Sequence, residues 1–111
     1  MDPKKLAFLE ANIRRARGRR DGKQITLTAQ QAYRIGERQG WLCNITGRRL
    51  EFTRGGSYYG GKWANPLSCS IDRLNNSRGY TRGNVQLVTW AVNLARGNCD
   101  LDSFKQALGF E

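Results

Sequence analysis

Residues 70–97 read SIDRLNNSRGYTRGNVQLVTWAVNLARG, and no other stretch of the 111-residue chain restricts its fold as much. A short run, Cys69 to Leu74, sets Cys69, Ile71 and Arg73 against Ser70 and Asp72, the period-two pattern of a half-buried strand. Asn75-Asn76-Ser77-Arg78-Gly79 then makes a turn. Beyond Arg82-Gly83, the positions Val85, Val88, Val92 and Ala95 recur at helical spacing, with Leu87, Ala91 and Leu94 beside them. That spacing predicts a buried helix over about residues 85–96, with Asn84 as its N-cap and Gly97 at its end. Asn93 falls in or beside the buried part. A buried amide needs partners, so Asn93 is either a member of a structural network or a ligand.

The charge balance says what such a fold would meet. The chain carries a formal net charge of +10 with a pI of about 10.3, a footprint for phosphate backbones or anionic membrane surfaces. No apolar run approaches the ~20 residues of a membrane span, and Met1 to Glu10 is too polar for a secretory signal. Three widely spaced cysteines, Cys43, Cys69 and Cys99, fit a reducing cytoplasm better than a disulfide framework. Histidine is absent, which removes the usual catalytic base and the commonest metal ligand. Between residues 38 and 98 there are nine Lys/Arg and two acids, Glu51 and Asp72. An acid at a strand end amid that much positive charge is a candidate metal ligand. The alternative is a salt bridge to Arg73, Arg78 or Arg82. A surface that only binds phosphates gains nothing from an unpaired carboxylate, which repels them.

The remaining segments read as scaffold with basic decoration. Residues 3–20 predict a helix capped by Asp2, with Pro3 in its first turn and Leu6, Leu9, Ile13 and Ala16 on one face. Its end carries Arg14, Arg15, Arg17, Arg19 and Arg20, either a solvated helix end or an arm that tracks phosphates. Thr28 and Gln31 predict a capping box for a helix of about residues 29–39, closed by Gly40. Leu50-Glu51-Phe52 predicts a strand. Residues 53–66, with four glycines, Tyr58, Tyr59 and Trp63, predict a loop. Arg54 and Lys62 interleave with those aromatics, so the loop either contacts nucleic acid or is pinned to the core by its rings. Asp100 or Asp102 caps a last short helix containing Leu101, Phe104 and Leu108.

The order strand, Asp72-Arg73, loop, Asn84, helix, Asn93 resembles the His-Asn-His endonucleases, the ββα-metal finger family. N-V-Q-L-V-T-W-A-V-N-L-A-R-G is similar to that family's N-L-Q-L-L-C-x-x-C-N-x-x-K-G signature, and Cys43-Asn44-Ile45-Thr46-Gly47 to its opening C-x-x-C-G. The S-I-D-R-L-N…G-Y-T-x-x-N form resembles a subset common among phage and prophage proteins. The resemblance covers roughly residues 38–107. It implies an α+β fold: a small ββα finger over residues 41–111, with two short antiparallel strands and a helix, and a basic helical part over residues 1–40, in one compact domain. It implies a metal-dependent endonuclease acting on DNA, duplex or branched, in the cytoplasm of a host cell if phage-encoded. It makes Asp72 and Asn93 the ligands of Mg²⁺ or Mn²⁺, which suits their hard oxygens, Asn84 the brace of the loop, and Arg96 a cation near the phosphates. Arg78 and Arg82 join the nucleic-acid-binding set. RNA is a weaker expectation, and a homodimer would let two fingers cut both strands.

Two departures qualify it. Four positions corresponding to the family's structural-zinc thiolates are Cys43, Thr46, Thr89 and Val92, so no structural zinc is expected. The family's general-base histidine is replaced by Arg73, which has no acceptor and cannot take a proton from water, although it can clamp a phosphate. The alternative function is therefore a non-catalytic DNA- or RNA-binding module on the same finger.

Overall fold

The computed structural model describes residues 1–18, 24–55 and 65–109. Helix α1 (Pro3–Arg17) starts where the Asp2 side chain accepts from the Lys4 and Lys5 N–H groups. Leu9, Ile13 and Ala16 bury one face, and Arg14, Arg15 and Arg17 crowd the last turn, where the helix dipole favours cations. Helix α2 (Ala29–Arg38) carries both halves of its capping box, Gln31 N to Thr28 Oγ1 at 3.1 Å and Thr28 N to Gln31 Oε1 at 3.0 Å. Gly40 and Trp41 both have positive φ, +65° and +59°, and this reversal lays the Trp41 ring directly against Gly36, where a Cβ would collide with it.

The strand expected at residues 50–52 does not form. Glu51 makes one isolated bridge to Ser68, while Leu50 N bonds to Trp41 O and Glu51 N to Leu67 O, so no run of residues pairs with a single partner.

Strand β1 (Cys69–Arg73) pairs antiparallel with β2 (Val85–Thr89), with Asp72 opposite Gln86 and Ser70 opposite Val88. The helix expected over 85–96 is thus wrong in its first half. All five β2 residues are buried. A strand covered on both faces keeps no alternation, and its apolar run imitates a helical stripe. Helix α3 is short, Trp90–Arg96, and Thr89 rather than Asn84 caps it, its hydroxyl accepting from Val92 N at 3.4 Å. Only Val92 and Arg96 of α3 are buried; Leu94 is 63% exposed, against the expectation of a buried apolar helix. Helix α4 (Leu101–Ala107) is capped by Asp100 and buries Phe104.

The core is continuous across the chain. Leu9 of α1, Leu27 before α2, and Leu87 and Val88 of β2 are its most enclosed side chains, so both the N-terminal helices and the β1–β2–α3 unit contribute to it. The architecture is α+β, and α1 and α3 both pack against β1. Among the described residues no helix is long and apolar enough to cross a membrane.

Candidate active site

The outer edge of β1 is where the candidate residues meet. Leu74 N bonds to Asn84 O, so residues 70, 72 and 74 direct their backbone groups toward β2, and residues 69, 71 and 73 direct theirs away. An unpaired edge of this kind needs covering. Three side chains do it, one per outward carbonyl: Asn12 Nδ2 donates to Cys69 O at 3.1 Å, Asn93 Nδ2 to Ile71 O at 3.5 Å, and Arg96 Nη1 to Arg73 O. Two of the three come from α3, three residues apart on one helix face.

Asp72 is 5% exposed and faces α3 and β2. Its Oδ2 accepts from Gln86 Nε2 at 2.9 Å and from the Arg96 guanidinium. Gln86 in turn accepts from Asn44 Nδ2 at 2.8 Å. Arg96, only 3% exposed, also donates to Leu74 O and Cys99 O, both at 3.0 Å. A buried carboxylate is tolerated when it is paired and hydrogen-bonded, and here both conditions hold. The ion-pair partner is thus Arg96, not the Arg73, Arg78 or Arg82 weighed from sequence, and Arg96 is turned inward, away from the phosphates it was expected to meet. Gln86, Asn44 and Asn12 were not singled out from sequence. Gln86 could have been found only by pairing residues 85–89 with β1, which puts it opposite Asp72.

Asn93 sits two strand positions along from Asp72. Its Nδ2 donates to Ser70 Oγ at 2.6 Å and to Ile71 O, and among the described residues no donor reaches its Oδ1. No hydrogen bond joins Asn93 to Asp72. As a donor set, a carboxylate from β1 and an amide oxygen from α3 fit Mg²⁺ or Mn²⁺, which take few protein ligands and fill the rest with water and substrate phosphate. Among the described residues, no three His, Cys, Asp or Glu side chains gather to hold a metal more fully. Arg96 shares the carboxylate, so a cation bound there meets a fixed positive charge.

Arg73 points to the other face of β1. Its guanidinium lies 5.0 Å from the Tyr80 ring centroid and donates to Arg78 O at 3.3 Å. Asn84, buried, holds the intervening loop: its Oδ1 accepts from Asn75 N at 3.0 Å, and its Nδ2 donates to Asn75 O at 3.1 Å and Gly79 O at 2.9 Å. It does so from the end of a short 3₁₀ turn, Arg82–Asn84, that leads into β2. Asn84→Ala removes all three bonds and strands at least one loop N–H, so urea denaturation should show a loss of about 1–3 kcal/mol, with faster amide exchange at Asn75.

Beside this edge lies a cleft of about 170 Å³. Its walls are Phe8, Asn12, Arg15 and Ala16 of α1, Ser70 and Ile71 of β1, Trp90 and Asn93 of α3, and Arg54 and Tyr80. No acid lines it. Arg14, Arg17, Arg78 and Arg82 are exposed on the surface outside the cleft. Arg19, Arg20 and Lys62, with Tyr58, Tyr59 and Trp63, lie outside the described residues.

Cys43 is buried beside Thr89, the last residue of β2. Burial pushes its thiol up, but hydrogen bonds with the Thr46 side chain and with the backbone of Thr46, Ile45 and Thr89 outweigh that and leave the pKa lowered. Cys69 is pushed up to about 12 by burial and by Cys43 nearby. Thr46 and Thr89, two of the positions matched to zinc thiolates, thus hydrogen-bond Cys43.

No protein-family model matches the chain, and no curated protein is similar to it in sequence. Among solved structures it is similar to the rare-cutting HNH restriction endonuclease PacI, with a TM-score of 0.65 at 19% identity, over 95% of this chain and 74% of that one. The likeness shows the fold: two antiparallel strands and a helix in the small HNH-type ββα arrangement, with flanking helices.

Proposed function

We propose that the protein binds DNA and hydrolyses its phosphodiester backbone with the help of a divalent cation. One observation supports this reading: on an HNH-type fold, Asn93 of α3 bonds to Ser70 of β1, two strand positions from the carboxylate of Asp72, beside a cleft whose described walls carry cations and no acid. Asp72 and Asn93 would hold Mg²⁺ or Mn²⁺. When bound, the cation would stabilise charge on the attacked phosphate and the leaving oxygen.

The chain's own residues do the rest. Arg15 and Arg54 draw the anionic strand toward the cleft. Arg73 offers a guanidinium suited to a phosphate, and as a permanent cation it leaves proton removal to solvent. Asn84 holds the loop that positions Arg73. Losing general-base catalysis typically costs ~10²–10⁴-fold, so the reading is of a slow nuclease. The substrate is duplex or branched DNA, and the subset with Asp-Arg is phage-type by resemblance.

A second reading is favoured by a specific observation. Asp72 is already neutralised by Arg96, and the following residue is not a base. On that reading the finger binds nucleic acid without cutting it.

The test is cleavage of supercoiled plasmid and four-way-junction DNA in Mg²⁺ and in Mn²⁺, wild type beside Asn93→Ala. Asn93 is only partly buried, so the variant is expected to fold. Cutting that chelator abolishes, and that drops by roughly 10²-fold or more in Asn93→Ala, is the expected result, since the loss of about 3 kcal/mol of charge stabilisation corresponds to that factor. Binding by both proteins with cutting by neither sinks the nuclease reading and leaves the binding module. Competition between duplex DNA and structured RNA then decides its partner.

A further inference from the structure

We infer that the cleft between α1 and the β1 edge is a subsite for one backbone phosphate of a nucleic-acid strand, and that Asn12 is the residue that positions Arg15 in it. The inference rests on the functional reading above only in taking nucleic acid as the partner; it requires no cleavage.

Among the described residues the cleft is lined by charge of one sign. Arg15 and Arg54 supply cations, while Asn12, Ser68, Ser70 and Asn93 supply neutral polar groups. At about 170 Å³ it falls below the ~300–1,000 Å³ of pockets that enclose a whole small molecule. A phosphodiester group, entered from solvent and left on both sides by the strand, suits that size. Ser70 Oγ already accepts from Asn93, so its own hydroxyl proton is free to donate to an anion.

Asn12 fixes the arrangement. Its Nδ2 is bound to Cys69 O on the strand edge, and its Oδ1 accepts from the Arg15 guanidinium. A neutral amide thus holds Arg15 in place without neutralising it, and among the described residues no carboxylate pairs with Arg15. A carboxylate at position 12 would hold the same guanidinium and cancel its charge. Asp72 does not line the cleft, so this phosphate is a neighbour of any phosphate placed at Asp72 and Asn93, and it lies toward α1. Trp90 lines the same wall and supplies an aromatic ring for the adjoining base.

The test is fluorescence anisotropy with a labelled DNA duplex in EDTA, over a series of salt concentrations, for wild type, Arg15→Gln, Arg54→Gln, Asn12→Ala and Lys4→Gln. Lys4→Gln makes the same charge change on α1 outside the cleft. Each lost phosphate contact should lower the slope of log K against log salt by about one. Arg15→Gln and Arg54→Gln are expected to do so, and Lys4→Gln is not. Asn12→Ala is expected to weaken binding in the wild-type background and to have no further effect in Arg15→Gln, a non-additivity that a purely structural role does not produce. Equal slopes for all three charge variants overturn the subsite while leaving DNA binding intact. A wild type that binds no DNA fails the functional reading itself. Tight saturation by inorganic phosphate alone, with no competition from DNA, would reassign the cleft to a free anion and overturn the inference.

Discussion

Replacing Asp72 by alanine should cost the fold about 3–5 kcal/mol, because it leaves the Arg96 guanidinium buried without its counter-ion. Arg96 is tied to the carbonyls of Arg73, Leu74 and Cys99 as well, so it cannot swing to solvent without uncovering the end of β1. Arg96→Met should therefore cost at least as much, since it strands the Asp72 carboxylate and three acceptors together. The double variant should cost about as much as Arg96→Met alone, the non-additivity expected of a pair in direct contact. Urea denaturation of the four proteins measures this. An Asp72→Ala variant within about 0.5 kcal/mol of wild type, the range of ordinary surface substitutions, would mean that the ion pair is not formed in solution. The result also governs how cleavage is read. Lost cutting in Asp72→Ala has two causes, a missing metal ligand and a weakened fold, whereas Asn93→Ala carries mainly the first.

Gly79→Ala should be comparably damaging, for steric reasons alone. A Cβ at Gly79 would lie 2.8 Å from Gln24 C and 2.9 Å from Gln24 N, and closer still to the Gln24 carbonyl oxygen. These are backbone atoms, and they cannot rotate away. The same contact is held by Tyr80 N to Gln24 O at 2.8 Å, and by Thr26 N and Leu27 N to Tyr80 O, both at 3.0 Å. Separating the two segments breaks that bridge, displaces buried Leu27 and Tyr80, and frees the Gly79 carbonyl from Asn84. The expected loss is about 3 kcal/mol, at the upper end of overpacking costs. Gly83→Ala, where nothing lies within 4 Å of the added atom, should stay within about 0.5 kcal/mol of wild type. Thermal melts of the two variants side by side check the contrast, and an unaffected Gly79→Ala would refute the close approach.

The starts of α1, α2 and α4 were legible because they depend on neighbours in sequence. Asp2 before Pro3, the Thr28–Gln31 box and Asp100, one of the two acids offered for α4, are caps whose donor and acceptor lie two or three residues apart. The strand β1 was legible by its alternation. Strand β2 was not, since burial on both faces erases the alternation and leaves an apolar run that a helix shares. That error moved the start of α3 by about five residues and hid the pairing of Gln86 with Asp72.

The sequence by itself determined which residues carry unusual chemistry: an acid among cations at Asp72, amides at Asn84 and Asn93, and an arginine at 73 with no acceptor. These are facts of residue type and charge, and a chain cannot change them by folding. Who touches whom was decided only by tertiary structure. Arg96 reaches Asp72 from 24 residues away, Asn12 reaches Cys69 from 57, and Asn84 closes its loop across nine. Such contacts are set by the register of β1 on β2 and by the packing of α1 and α3 against one strand edge. Nothing local in the chain encodes either, because both are chosen by burial of a shared core.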